Sequence, residues 1–213
     1  MRIALLGGTF NPIHYGHLRI AEEAREALSF DKVVFVPTFI TPHKLRESLT
    51  PPEVRYEMVR KAIEGNPAFE VSDMEIKRGG RSFTVDTVRE LKAADPSSAV
   101  SLIIGNDSFN EISTWHEYEE LLKLSSFVVV QRPHYALKKP AEALPVELAR
   151  KFWYDSENQS YVNSYGNSVT YLDTTLLDIS SSAIRIKVRK GESIKYLLPE
   201  SVIKIIDTQG LYK

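Results

Sequence analysis

The sequence predicts an α/β protein built on one doubly wound parallel sheet, and three observations carry that prediction. Apolar runs of strand length recur at Ile3–Leu6, Val33–Val36, Val100–Ile104, Phe127–Val130 and Val169–Leu172, and continuous rather than alternating apolar character marks strands buried on both faces. Between them lie segments with apolar residues at helical spacing, and strand, helix, strand implies parallel neighbours joined by crossovers. Gly7-Gly8, Pro37, Gly105 and Pro133 follow the strand-like runs closely, so turns open at strand carboxyl ends, where open α/β sheets place their ligand crevice. That crevice is expected near Gly8.

The elements follow in order. After the first strand and the stretch Gly7–His17, Leu18, Ala21, Ala24 and Leu28 share one helical face, and this helix should end near Ser29. The second strand closes at Pro37. The segment TFITPHKLRESLT then reads as a loop over the glycine turn, carrying His43, Lys44 and Arg46. Thr50, Pro51 and Glu53 announce a helix as N-cap, first-position proline and capping-box glutamate; Val54, Met58 and Ala62 face inward, and Gly65 closes it. Residues 69–77 alternate loosely as a strand, and Thr84 caps a helix carrying Val85, Val88 and Leu91.

A loop follows the next strand at Gly105-Asn106-Asp107, and one or two short helices from Glu111 to Leu124 carry Trp115. From His134 to Asn167 the pattern is weakest, an excursion or interface with Trp153 and the tyrosines at 154, 161 and 165 left to packing or assembly. After Val169–Leu172, three serines open a helix stopped by Gly191, and a last helix runs from Pro199 to Asp207. The chain shows no repeat or linker, so a single domain over 1–213 is expected, with the serine motif and closing helices in about 174–213.

Composition narrows the chemistry. Of 213 residues, 43% are hydrophobic and 26% charged, as in ordinary globular proteins. A net charge of −1 lacks the basic footprint of general nucleic-acid or membrane-surface binding. There is no cysteine, hence no disulfide and no thiolate chemistry. No leader pattern and no apolar run of about 18 residues appears, so a cytoplasmic location is expected.

Gly7–His17, GGTFNPIHYGH, is a strand, turn and helix start in which two glycines let backbone N–H groups approach a polyanion and a helix aims its positive end at the same point. It lacks the Gly-Lys-Ser/Thr ending of a P-loop and does not fit GxGxxG. His14 and His17 lie three residues apart on one face, where both could hold one phosphate. Such a pair can also ligate zinc, but no acidic residue or cysteine nearby supplies a third ligand, so no residue is assigned to a metal. Ser180, Ser181 and Ser182 read alone as a capping run; Arg185, one turn further on, lets hydroxyls, N–H groups and a guanidinium converge on phosphates. Trp115 alone reads as a core residue.

His14-Tyr15-Gly16-His17 resembles the HxGH signature of the α/β nucleotidyltransferases. The longer GGTFNPIHYGH resembles the form in nicotinate and nicotinamide mononucleotide adenylyltransferases. ISSSAIR, ending at Arg185, is similar to the ISSTxIR of bacterial nicotinate mononucleotide adenylyltransferases, with Ser182 for threonine. GNDSFNEISTW resembles GxDxxxxxxxW, Arg81-Ser82-Phe83-Thr84 resembles RSYT, and Thr41-Pro42-His43-Lys44 resembles PPHK. Asn11 replaces the usual aspartate, and His134 follows Arg132-Pro133 where glycine is favoured.

The resemblance implies a Rossmann-like nucleotidyltransferase that joins ATP and nicotinate mononucleotide, releasing pyrophosphate, with Mg²⁺ accompanying ATP. It implies ATP contacts from Gly8, Thr9, Phe10, His14, Gly16, His17, Gly105, Asp107, Ser181, Ser182 and Arg185. Mononucleotide contacts fall to Asn11, His43, Lys44, Phe83, Thr84, Trp115 and Arg132, with Trp115 stacked on the pyridine. His14, His17, Lys44 and Arg185 are the expected catalytic, charge-stabilising residues. The expected partners are these two small molecules, with homo-oligomerisation also allowed. The alternatives are another HxGH enzyme, acting on nicotinamide mononucleotide or phosphopantetheine, and a nucleotide-binding module without turnover; the Arg81–Thr84 and Trp115 region speaks against phosphopantetheine.

Overall fold

In the computed structural model, residues 1–40, 49–132 and 135–213 are described. Strand β1 (Arg2–Gly8) lies near the middle of an eight-stranded sheet of order β3-β2-β1-β4-β5-β8-β7-β6. The others are β2 (Lys32–Pro37), β3 (Phe69–Val71), β4 (Ala99–Gly105), β5 (Ser126–Val130), β6 (Phe152–Asp155), β7 (Ser160–Asn163) and β8 (Ser168–Leu172). The pairs from β3 through β8 are parallel, whereas β7 runs antiparallel to both β8 and β6.

Consecutive residues of a strand face opposite sides, so β1 feeds two cores. Leu6 joins Phe35, Ile103 and Val128 beneath α1 (Tyr15–Ala27), α2 (Pro52–Ala62), α9 (Ser181–Arg189) and α10 (Glu200–Thr208), which contribute Ala21, Met58, Ile184 and Val202. On the other face Leu5 joins Val36, Leu102 and Phe127, covered by α4 (Thr84–Ala94) and α6 (Tyr118–Leu124) through Val85, Val88 and Leu121. The chain leaves β1 toward β2 on one side and β4 on the other, so the carboxyl ends of β1 and β4 flank the point where strand order reverses.

Several expectations are corrected. The doubly wound parallel sheet is borne out, but the weakly patterned segment is more than an excursion: part of it adds the antiparallel β6–β7 hairpin to that sheet after two one-turn helices, α7 (Pro140–Ala143) and α8 (Val146–Ala149). Trp153 and Tyr154 lie exposed on its outer strand. The strand expected over 69–77 stops at Val71, and Met74–Arg78 forms α3, whose Glu75 is buried and accepts from the Thr87 hydroxyl at 2.6 Å.

Neither threonine caps its helix. Pro51 and Phe83 occupy the cap positions without a side-chain cap, and Thr84 is already helical. At Gly105 the expected loop is a short helix, α5 (Asn106–Asn110).

Candidate active site

The turn after β1 brings the histidine pair to the sheet's reversal point. Phe10, at φ 47°, turns its ring inward, 5.9 Å from Phe35 and edge-on to His17 at 5.1 Å. A Cβ on Gly8 would stand 3.1 Å from that ring, so a side chain there would crowd the turn. Gly16 is needed for a related reason: its Cβ would come within 3.0 Å of His14 Nδ1. The glycine of HxGH thus leaves room for the first imidazole, and the second stacks on it with ring centroids 3.7 Å apart. A Cβ on Gly7 would meet no protein atom within 4 Å, so that side of the turn is open.

The His14 N–H donates to His17 Nδ1 at 3.3 Å, which places the proton of a neutral His17 on Nε2. His14 Nδ1 is buried without a partner. Burial lowers the His14 pKa to about 4, helped by the positive charge of Arg132. His17 is held well below its usual value by burial, then by His14 and Arg132. Both are therefore neutral at neutral pH and can donate N–H groups to an anion.

The serine cluster divides its labour. Ser180 Oγ accepts from the Ala183 N–H at 3.2 Å and is the N-cap of α9. Ser181 Oγ donates to the Pro12 carbonyl at 2.8 Å, so its hydroxyl proton secures the turn. Arg185 donates from Nη1 to the Asn11 carbonyl at 2.7 Å and from Nη2 to Ser182 Oγ at 3.2 Å. A guanidinium has five donors, so Arg185 retains N–H groups beside the turn.

Across the reversal point, Asp107 Oδ1 lies 3.5 Å from Arg132 Nε, and Gly105 makes room for both. Arg132, which the family resemblance assigns to the mononucleotide, stands close enough to the histidines for its charge to oppose their protonation. Phe83 stacks on His116 at 4.2 Å, which brings the Arg81–Thr84 segment against the neighbour of Trp115. Trp115 is half-buried and packs against the second core, so it is partly core and partly accessible. Thr84 begins α4. Thr41, Pro42, His43, Lys44 and His134 lie outside the described residues.

Sequence reasoning missed Arg55, Asn106 and His116 among the residues around the site. Arg55, 1% exposed, donates to the carbonyls of Thr50, Thr9 and Thr38 at 2.9, 2.7 and 2.7 Å, so one buried cation ties the turn to the end of β2. Asn106 accepts from the Arg132 N–H at 2.8 Å and donates to the Tyr135 carbonyl at 2.9 Å, fixing the segment that carries Arg132. His116 had one signal, its place beside Trp115. Among the described residues no three histidine, aspartate or glutamate side chains gather where they could hold a metal ion.

A glycine turn, a histidine pair at a helix start and an arginine meet at the reversal point of a parallel sheet, as the nucleotidyltransferase resemblance implies, and residues 5–187 match the cytidylyltransferase-like family model. The chain belongs to that family. Over 212 residues, covering all of this chain and 98% of the other, it is 51% identical to a probable nicotinate-nucleotide adenylyltransferase of Citrifermentans bemidjiense. It is 45% identical to one of Trichlorobacter lovleyi, with both chains covered in full. The chain is a member of the nicotinate-nucleotide adenylyltransferases. Its fold is also that of the Plasmodium falciparum nicotinic acid mononucleotide adenylyltransferase complexed with APC, with TM-score 0.75, 20% identity and coverage of 99% of this chain and 96% of the other. The same protein is solved complexed with NaAD.

Proposed function

We propose that the protein transfers the adenylyl group of ATP to nicotinate mononucleotide, forming nicotinic acid adenine dinucleotide and pyrophosphate. The observation that supports this most is the division of the site. The histidine turn and Arg185 gather donors on the side of the first core, whereas Phe83, stacked on His116, and Trp115 both pack against the second.

An ionised phosphate oxygen of the mononucleotide attacks the α-phosphorus of ATP, the bond from that phosphorus to the bridging oxygen breaks, and pyrophosphate leaves. No general base is required, because the nucleophile carries no proton to remove. The residues' task is to align the two phosphates and to meet the charge that accumulates. His17 Nε2–H, His14 and Arg185 are assigned to that charge, together with Lys44. Gly8, Thr9, Phe10, Gly16, Asp107 and Ser182 complete the nucleotide side; Asn11, His43, Thr84 and Trp115 receive the mononucleotide.

The family generally uses a divalent metal with ATP, and we take that metal to be Mg²⁺, entering with the substrate's phosphates. A cytoplasmic site of action is proposed; among the described residues no helix is long and apolar enough to cross a membrane.

Incubation with ATP, Mg²⁺ and nicotinate mononucleotide should yield dinucleotide and pyrophosphate in equal amounts. Binding of both substrates without product would leave the non-catalytic binding module as the correct reading.

A further inference from the structure

Four hydrogen bonds join the last third of the chain to the turn that carries His14. Ser181 Oγ donates to the Pro12 carbonyl, Arg185 Nη1 to the Asn11 carbonyl, and the Tyr15 N–H to the Leu197 carbonyl at 3.0 Å. Each of these ends on main chain of the turn. The fourth does not: the Tyr212 phenol donates to Asn11 Oδ1 at 2.8 Å, across 201 positions of sequence.

A carboxamide has an acceptor end and a donor end, and its orientation is decided by what meets each. Asn11 is 2% exposed, and its Nδ2 is buried without a partner. Near the phenol, Thr50 is fixed by its carbonyl, which accepts from Arg55 Nε at 2.9 Å. The phenol's own proton is directed to Asn11 Oδ1, the hydrogen-bond acceptor that faces it. Burial keeps that proton in place by raising the Tyr212 pKa. The amide oxygen is thereby fixed toward Tyr212 and the NH₂ group is turned away from it. A buried donor left unmade is costly, roughly 1–3 kcal/mol, and the arrangement is relieved when an acceptor arrives.

We propose that Tyr212 is a positioning residue for the reaction: acting through Asn11, it presents the Nδ2 donors to an oxygen of the bound mononucleotide, in its phosphate or its ribose. This rests on the assignment of Asn11 to the mononucleotide given above. A carboxylate in place of the amide would accept from Tyr212 equally well in either orientation but would have no N–H to present.

The test compares Tyr212→Phe, Asn11→Asp and the double variant, because phenylalanine removes the hydroxyl and keeps the ring. Tyr212→Phe should lower kcat/KM for the mononucleotide about five- to tenfold, the equivalent of about 1–1.4 kcal/mol, with KM for ATP within about twofold. In the Asn11→Asp background the same change should cost less than about twofold, since a symmetric acceptor needs no orienting. In ¹⁵N–¹H spectra of the ligand-free protein the Asn11 side-chain NH₂ signals should shift or broaden in Tyr212→Phe. Unmoved signals would overturn the proposal. So would equal losses for both substrates in both backgrounds that track a fall in Tm, since these would mark a merely structural contact. A wild type that makes no dinucleotide would sink the functional reading alone, while the Asn11 signals still report on the Tyr212 contact.

Discussion

Replacing Gly105 with alanine would place a methyl group where two side chains of the site now meet. The backbone itself permits alanine, with φ −72° and ψ 154°. The added Cβ would stand 2.2 Å from Asp107 Oδ1 and 2.6 Å from Arg132 Nε. Ordinary contact begins near 3.4 Å, so the Asp107 carboxylate must retreat by at least about 1.2 Å, and the Arg132 side chain must move as well. Their side chains are 24% and 52% exposed and held by an ion pair at 3.5 Å, so both can swing outward. An ion pair of this exposure contributes at most ~1 kcal/mol to stability.

The expected result is therefore a nearly unchanged Tm with a large loss of activity, because a misplacement of ~1 Å in a catalytic array can cost about 10²-fold. Steady-state dinucleotide formation and thermal denaturation on the same preparation separate the two effects. A variant within about threefold of wild-type kcat/KM would refute the claim that Asp107 and Arg132 must hold this geometry. A collapse of Tm would show that the glycine serves the fold instead.

Three further outcomes follow from the site. His17→Ala should reduce turnover about 10²- to 10³-fold, the usual cost of one preorganised donor, and near-normal turnover in a folded variant would remove His17 from the mechanism. Trp115→Ala should weaken mononucleotide binding by ~1 kcal/mol or more with ATP binding largely kept; equal loss of both ligands with a large stability loss would assign the ring wholly to the core. Because His14 is buried neutral with its pKa lowered to about 4, the unfolded chain takes up a proton that the native state refuses. Stability is therefore present above about pH 6.5 and falls as pH drops from there toward 4, by an amount on the order of 3 kcal/mol. Urea unfolding at pH 7 and pH 5 should show a steeper loss for wild type than for His14→Gln, and equal losses would contradict a buried neutral His14.

The strands β1, β2, β4 and β5 were legible because burial on both faces leaves an unbroken apolar run. The β6–β7 hairpin was not: its strands are short and partly exposed, and its turn uses Gln159 at φ 48° where glycine would have announced it. Thr50 and Thr84 misled because a cap depends on which residue has the extended backbone, and that fell to Pro51 and Phe83. Within the site, the residues between Gly7 and His17 and from Ser180 to Arg185 were visible as local motifs. Arg55, Asn106 and Tyr212 had no such signal, since each acts through partners 46, 26 or 201 positions away. Only the packing of distant segments creates their roles.

The most direct test of the account is the comparison of nicotinate and nicotinamide mononucleotides as acceptors of the adenylyl group. The start of α4, beside Phe83 and Thr84, offers N–H groups and the positive end of a helix, and Asp86 in its first turn is the opposing charge. A carboxylate accepts from such donors, whereas an amide also brings donors of its own that find no acceptor there. Charge-assisted bonds are roughly twice as strong as neutral ones, so the acid should be preferred by at least ~2 kcal/mol, about 30-fold in kcat/KM. Dinucleotide formation with that preference is the predicted result; equal values of kcat/KM, or preference for the amide, would contradict it.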